Sequence, residues 1–155
     1  MIINIQAIGI IHTDHTSKEH SPIQGVFHPD ATGTVELFPE FAEGLLDIEL
    51  FSHLYLFYHF DRADPGELIR YPFLDDTPHG IFATRHPCRP NGIGITVVRF
   101  LERNGNRFTV KGIDVLDGTP LLDIKPYIPR FDCHPEASEG WFAGKNNRQK
   151  PVGRE

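Results

Sequence analysis

The sequence predicts an all-β fold: a small closed or nearly closed β-barrel of about six or seven strands, with long loops and little helix. Two observations support this prediction. The 155 residues include 13 prolines, 14 glycines and 12 phenylalanines, a composition that favours strands, turns and loops over long helices. Apolar runs of strand length also recur between turn sequences along the chain. The length predicts one domain with a core of its own.

The first half of the chain contains four predicted strands and two long loops. The strands are expected at residues 2–11, 33–38, 50–60 and near 67–71. The run at 50–60 (LFSHLYLFYHF) gives the clearest signal because it is aromatic-rich and contains neither glycine nor proline. Residues 40–46 predict a short helix. Residues 12–32 and 61–77 are irregular, and a loop as long as 12–32 in a compact domain usually has a function.

The second half predicts further strands joined by tight turns. These strands are expected at residues 80–85, 93–102, 107–115 and 121–125. Asn104-Gly105 is a strong hairpin signal, and Asp117-Gly118 predicts a second turn. After Pro129 the strand pattern fades. We therefore assign residues 1–130 to the barrel domain and residues 131–155 to a C-terminal extension, basic and in part mobile.

Charge and cysteine usage exclude several classes of protein. A net charge of −6 disfavours a general polyanion binder, although it allows a local basic face. Cys88 and Cys133 are too few for a disulfide framework, which predicts a reducing, cytoplasmic location. No apolar run approaches the roughly 18 residues of a membrane span, and the N-terminus lacks a basic leader, so no membrane association is expected.

Residues 82–96, here called the arginine segment, are the most distinctive stretch of the chain. They combine Arg85 and Arg89 with two prolines and two glycines. Arginines are rarely buried without a partner, whereas their forked guanidinium groups suit carboxylates, phosphates and stacked rings. The prolines stiffen the backbone, while Gly92 and Gly94 allow a turn or the close approach of a ligand. We interpret this segment as the floor of a binding site.

Two later stretches add acidic and aromatic groups to this basic segment. Asp114 and Asp117 lie in Gly112–Pro120, where Asp114 is expected near a strand end with its side chain facing solvent or a site. The alternative for Asp117 is ordinary turn chemistry with Gly118. Tyr127 follows in Leu122–Pro129. Each signal is weak alone; together they predict a site of mixed charge.

Metal binding and thiol catalysis are weaker hypotheses. His86, Cys88, Cys133 and His134 do not have the paired spacings of a structural zinc site, so no metal is expected. Cys88 lies between a histidine and an arginine that could lower its pKa, but a small filler beside proline is the simpler interpretation. Gly92-Ile-Gly94 lacks the rest of a dinucleotide-binding fingerprint.

Two motifs carry a resemblance to a known family. FATRHPCRPNGIG at residues 82–94 and DVLDGTPLLDIKPY at residues 114–127 resemble the TsaA-like, or TrmO-type, family, and Ile8–Ile10 and Phe51–Leu54 match it as well. The resemblance covers about residues 5–130. It implies a small β-barrel that binds S-adenosyl-L-methionine without a Rossmann fold, commonly as a homodimer. It also implies methylation of N6 of threonylcarbamoyladenosine next to the anticodon of tRNA.

The resemblance also implies which residues contact the cofactor. By motif position they are Pro22, Ile23, Gln24, Asp61, Arg62, Arg85, Ile95, Asp114, Val115, Leu116 and Asp117. The chain departs from the family pattern at Gly92, where proline is usual, and at His86, where a small residue is common.

Three residues are candidates for the chemistry of methyl transfer. Asp114 could accept a proton from the target amine, and Arg89 could hold a carboxylate of the cofactor or of the modified base. Tyr127 could stack on an unstacked loop base. The partner predicted in this way is the anticodon loop of a tRNA.

Two other functions remain open from the sequence. The acidic charge also fits an enzyme that uses the same cofactor on a small molecule. A non-catalytic barrel that binds RNA or a ligand is the third hypothesis, with the aspartates as turn formers and the arginines as phosphate contacts.

Overall fold

The structure, a computed structural model, describes residues 1–16 and 30–145. The strands in these residues are β1 (Gly9–Thr13), β2 (Thr32–Leu37), β3 (His53–His59), β4 (Ile69–Arg70), β5 (His79–Gly80), β6 (Ile93–Asn104), β7 (Arg107–Lys111) and β8 (Thr119–Pro126). The helical segments are the single turn α1 (Pro129–Asp132) and 3₁₀ segments at Pro39–Leu45, Ile48–Leu50, Ile81–Ala83 and Gly140–Phe142. Within the described ranges, no helix is long and apolar enough to cross a membrane.

Six strands close into a barrel in the order β1-β2-β7-β6-β3-β8, and β8 pairs back onto β1. All neighbouring pairs are antiparallel. Closure satisfies the backbone donors and acceptors that an open sheet would leave at its edges. The predicted small β-barrel is therefore confirmed. β4 and β5 form a separate antiparallel pair.

Alternate residues of the strands fill the interior of the barrel. The inward residues of β3 and β6 are Leu54, Leu56, Tyr58, Gly94, Thr96 and Val98. Phe108 of β7 is also fully buried. Burying a large apolar side chain contributes about 1.5–3 kcal/mol. The interior is thus a packed core, and binding groups must lie at the ends or on the outside of the barrel.

Gly94 is part of this core. It lies opposite Tyr58 in the β3–β6 pair, and a Cβ atom at this position would overlap the Tyr58 ring. The space that we expected a ligand to use is therefore occupied by the protein's own tyrosine. Gly92, by contrast, takes a φ of +57° in the turn before β6, a conformation that favours glycine.

Three predicted strands have different bounds in the structure. The strand expected at residues 2–11 begins only at Gly9, and Ile2, Ile3 and Ile5 before it are exposed, so burial does not hold them against the barrel. The strand expected at residues 80–85 is instead the end of β5 followed by a 3₁₀ turn. The strand expected at residues 107–115 ends at Lys111, because Gly112 takes a φ of +82° that breaks the ladder.

By its backbone contacts the chain divides into two compact units. The barrel unit contains residues 1–61 and 93–132. The second unit contains residues 62–92 together with the chain from residue 133 onward. The tail that we predicted to be mobile lies largely in residues 146–155, outside the described residues.

Within the second unit, Asp75 connects the β4–β5 region to the C-terminal segment. Its carboxylate accepts hydrogen bonds from Nε2 of His79 at 3.1 Å and from the backbone N–H of Thr77 at 3.2 Å. Nζ of Lys145 forms an ion pair with it at 3.1 Å. The hydrogen bond from His79, then that from Thr77, and the contact with Lys145 hold the pKa of Asp75 well below its usual range.

We expect Asp75→Asn to destabilise the second unit at neutral pH but not in acid. A carboxyl whose pKa is lowered by folding stabilises the protein above its unfolded pKa of about 3.9, and this contribution is lost as the pH falls through the folded pKa. The difference in thermal midpoint between wild type and variant should therefore shrink steadily below about pH 4. Thermal unfolding from pH 2.5 to 7 measures it, with exposed Asp64→Asn as the matched control. A difference that is the same at all pH values would contradict the role of the Asp75 charge.

Candidate functional site

Gly112–Gly118, here called the aspartate segment, is hydrogen-bonded to both ends of the loop that joins β1 to β2. The N–H groups of Gly112 and Ile113 both point at the carbonyl of Ala31, at 2.7 and 3.4 Å. The hydroxyl of Thr13 donates to the carbonyl of Val115 at 2.9 Å, and the N–H of Asp117 donates to the carbonyl of His15 at 2.8 Å. The long loop of residues 14–31 therefore leaves and rejoins the barrel against this segment.

Pro22, Ile23 and Gln24 belong to that loop and lie outside the described residues. The described ends of that loop are both hydrogen-bonded to the aspartate segment, through the carbonyls of His15 and Ala31.

The two aspartates of the segment have different environments. Asp114 is only 8% exposed, although it lies outside any strand. Of the two orientations expected for Asp114, facing solvent or facing a site, the low exposure contradicts the first and leaves the second as a prediction. Asp117 is about half exposed, and its Oδ1 accepts the N–H of Thr13 at 3.1 Å. Because burying a carboxylate costs free energy, Asp114 is the stronger candidate of the two for a functional role.

Strand register places several candidates at one end of the barrel. Tyr58 pairs with Leu121 and His59 pairs with Ile93, so β3 ends where β6 and β8 begin. We call this the site end. Asp61 follows β3 there, with its N–H bonded to the carbonyl of His59 at 2.9 Å. The aspartate segment precedes β8 at the same end.

Ile95 lies close to the site end, on the outer side of the barrel. It pairs with Phe57 and alternates with the inward residues Gly94 and Thr96. Val115 is buried in the core and Leu116 is partly exposed. Of the predicted cofactor contacts in the barrel unit, those described by the structure thus gather at one end.

Tyr127 lies at the opposite end. Its N–H donates to the carbonyl of His53 at 3.0 Å, and its ring packs 5.5 Å from Tyr55 and 6.4 Å from His53. The eight residues of β8 separate it from Asp117 by roughly 25 Å. Within one chain, the structure does not bring Tyr127 together with the aspartate segment.

Residues 82–92 of the arginine segment form a loop in the second unit, whereas residues 93–96 begin β6 in the barrel unit. Nη1 of Arg89 donates to the carbonyl of Thr84 at 3.0 Å, so one of its five N–H groups is used within the loop. A Cβ on Gly66 would lie 3.0 Å from the carbonyl carbon of Arg89, which shows how closely the two backbones approach. Arg62 and Arg85 are exposed in the same unit.

His86 and Cys88 are buried within this loop. Nδ1 of His86 accepts the N–H of Cys88 at 3.1 Å, and Nη2 of Arg70 lies 3.3 Å from Nε2 of His86. Cys88 is fully buried, which favours the filler interpretation over a reactive thiol. Across residues 1–16 and 30–145, no group of three or more His, Cys, Asp and Glu side chains could hold a metal ion.

Sequence reasoning missed the groups that hold the aspartate segment. Thr13 acts through its hydroxyl, but His15 and Ala31 act only through backbone carbonyls, which have no signature in side-chain type. One sign of their role was available in the sequence, since His15 and Ala31 belong to the long loop and Thr13 directly precedes it.

Comparison with known proteins supports this picture. The model of the tRNA-methyltransferase O N-terminal domain matches residues 10–133. A probable S-adenosyl-L-methionine-binding protein of Pyrococcus abyssi is 52% identical over 92% of this chain and 77% of its own length. The human tRNA (adenine(37)-N6)-methyltransferase is 36% identical over 69% of this chain and 25% of its own.

A solved structure shows the same fold. The crystal structure of TrmO superimposes with a TM-score of 0.80 at 40% identity, over 90% of this chain and 64% of that one. This chain therefore spans less than two thirds of that protein. With most of its length matched by the family model, the chain belongs to the TrmO family, in the region of the tRNA-methyltransferase O N-terminal domain.

Proposed function

We propose that this protein is an S-adenosyl-L-methionine-dependent methyltransferase that modifies N6 of threonylcarbamoyladenosine next to the anticodon of tRNA. The observation that carries the proposal is the aspartate segment, held at the site end against both ends of the 14–31 loop. Family membership supports methyl transfer, and the name of the human relative supports tRNA as the substrate.

The residues at the site end suit the proposed cofactor. S-adenosyl-L-methionine carries an ammonium group and ribose hydroxyls, all of which donate hydrogen bonds to carboxylates. Asp114 and Asp117 supply such acceptors, and Asp61 adds a third at the same end of the barrel. Pro22, Ile23, Gln24 and Ile95 are proposed to complete the contacts on the barrel side. We also propose cofactor contacts from Arg62, Arg85 and Arg89. These rest only on the ability of guanidinium groups to bind a carboxylate.

Alignment is the main contribution required of the protein. The cofactor, when bound, supplies a methyl group on a positively charged sulfonium. The carboxylates are proposed to hold the methyl donor in place. Holding two reactants in the correct geometry can lower an activation barrier by several kcal/mol, up to about 7–11 kcal/mol in model reactions. Asp114 is proposed to accept the proton that the exocyclic amine loses, a role that is typically worth about 10²–10⁴-fold in rate.

A small-molecule substrate is the second candidate, and the charges of the barrel unit favour it. Three cations of the barrel unit that could contribute to a local basic face are paired with carboxylates: Arg103 with Glu49, Arg107 with Glu36 and Lys111 with Asp30. The net charge of −6 points the same way. A tRNA-binding face would therefore depend on the exposed Arg99 of the barrel unit, on the arginines of the second unit and on the basic C-terminal sequence.

Cofactor binding and methyl transfer test the proposal in sequence. At about 100 times its dissociation constant, S-adenosyl-L-methionine should raise the thermal midpoint by about 5–10 °C, whereas ATP should not. Radiolabelled methyl should then pass to tRNA that carries threonylcarbamoyladenosine, and binding of that tRNA should weaken steeply with salt. No midpoint shift would reject the cofactor; a shift without labelled tRNA would favour the small-molecule alternative.

The homodimer that the resemblance implies and the cytoplasmic location that the cysteine count predicts remain predictions. Sedimentation of the purified chain measures the first, and fractionation of cells measures the second.

A further inference from the structure

We propose that a stack of three rings in the second unit, His79, Trp141 and Phe142, is a platform on which an unpaired RNA base stacks. The proposal rests on the proposed function for its choice of RNA, and it goes beyond that function by naming a binding surface outside both sequence motifs. Four features of the second unit support a platform: the geometry of the stack, its anchoring, its exposure and its surrounding charge.

The three rings are nearly parallel. The centroids of His79 and Trp141 are 4.4 Å apart with an interplanar angle of 13°, and those of Trp141 and Phe142 are 3.9 Å apart at 28°. Two rings stacked this closely on one indole occupy its two faces. Trp141 is therefore the middle of the stack and Phe142 is one of its ends.

The stack is anchored at several points. Nε1 of Trp141 donates to the carbonyl of Ala83 at 2.7 Å, which fixes the edge of the indole. His79 is held by Asp75, and Lys145 pairs with the same carboxylate just after Phe142. An anchored aromatic group loses little conformational entropy on binding, so it can present a ring to a ligand at low cost.

The outer end of the stack is accessible. Phe142 remains 42% exposed although Trp141 covers one of its faces. A nucleobase has the flat shape that extends such a stack, and base–aromatic stacking is the common way in which proteins bind unstacked bases without reading their sequence.

The charge next to the stack suits a polyanion. Arg85, which is exposed, lies two residues after the Ala83 carbonyl that holds Trp141. Lys145 balances Asp75, the carboxylate bonded to His79. Aromatic rings interleaved with cations are typical of surfaces that bind single-stranded nucleic acid.

Substitution of Phe142 tests the platform directly. Phe142→Leu removes the ring and keeps an apolar side chain, and Phe142→Tyr keeps the ring. For an anticodon stem-loop RNA with 2-aminopurine in the loop, we expect Phe142→Leu to weaken binding about tenfold and to abolish the stacking quench of the probe, while Phe142→Tyr retains both. Phe131→Leu is the matched control, because Phe131 is an exposed aromatic residue of the barrel unit.

The readouts separate this proposal from the proposed function. Binding of S-adenosyl-L-methionine should be unchanged in Phe142→Leu, and its thermal midpoint should stay close to that of Phe142→Tyr if the second unit is intact. RNA binding that is unaffected by Phe142→Leu would overturn the platform and leave the tRNA methyltransferase proposal standing. A wild-type protein that binds the cofactor but not the stem-loop would overturn both the platform and the tRNA substrate.

Discussion

Replacement of Gly94 by alanine is expected to destabilise the barrel by about 1–3 kcal/mol, the usual cost of overpacking a core. The new Cβ atom would overlap the body of the Tyr58 ring, on the opposite strand, rather than the end of a flexible side chain. The ring is buried and packs edge-on against Phe60 at 5.3 Å, so it has little room to move. For a chain of this size the thermal midpoint should fall by roughly 3–10 °C.

Three further variants make this prediction specific. Gly44→Ala is the matched control, because a Cβ at Gly44 meets nothing within 4 Å. Tyr58→Leu should itself destabilise the core, but the double variant Gly94→Ala/Tyr58→Leu should lose less stability than the sum of the two single variants, since removing the ring removes the overlap. If the stability losses of the two single variants simply add in the double variant, the absence of a side chain at Gly94 is not what makes room for the Tyr58 ring.

Asp114→Asn is expected to lower kcat/KM for methyl transfer by about 100-fold or more, the range of general-base effects. Asparagine has nearly the same shape, so the variant removes the charge without opening a cavity. If Asp114 accepts the amine proton, kcat should fall with little change in cofactor affinity, and the acidic limb of the pH–rate profile should disappear. If it instead holds the cofactor, the dissociation constant measured by calorimetry should rise by a similar factor.

The control for Asp114 is an aspartate of β8 that is not among the proposed cofactor contacts. Asp123 is a partly exposed aspartate of β8, paired with Lys125 at 2.8 Å. Asp123→Asn should leave both the rate and the cofactor affinity unchanged. An Asp114→Asn enzyme with wild-type rate and affinity would exclude Asp114 from the site.

Much of the barrel can be predicted from short-range patterns. The aromatic run that contains β3 and the Asn104-Gly105 turn after β6 both carry strong local signals, because pairing and turn geometry depend on adjacent residues. The end of β7 could not be predicted in this way. Ile113-Asp114-Val115 continues the strand alternation, and only the positive φ of Gly112 shows that the ladder has already stopped.

The candidate site was less predictable than the fold. The motif that contains Asp114 also contains Tyr127, yet β8 runs between them and carries them to opposite ends of the barrel. Residues of one motif can therefore lie far apart in space when an extended strand runs between them. Conversely, Trp141 lies in a segment without strand pattern, and its contact with Ala83, 58 positions away, leaves no trace in local sequence.

Closure of the barrel by β1 and β8 has a consequence for synthesis on the ribosome. Gly9–Ile11 pair with Thr119–Leu121, so β1 finds its second partner only after the chain from β2 through β7 has been translated. Until β7 emerges, β1 and β2 can form no more than a hairpin, and until β8 emerges β1 keeps an open edge, and such edges are sites of misassembly. Contacts of this sequence separation also slow folding. The nascent chain should therefore depend on protection of its early strands until β8 emerges.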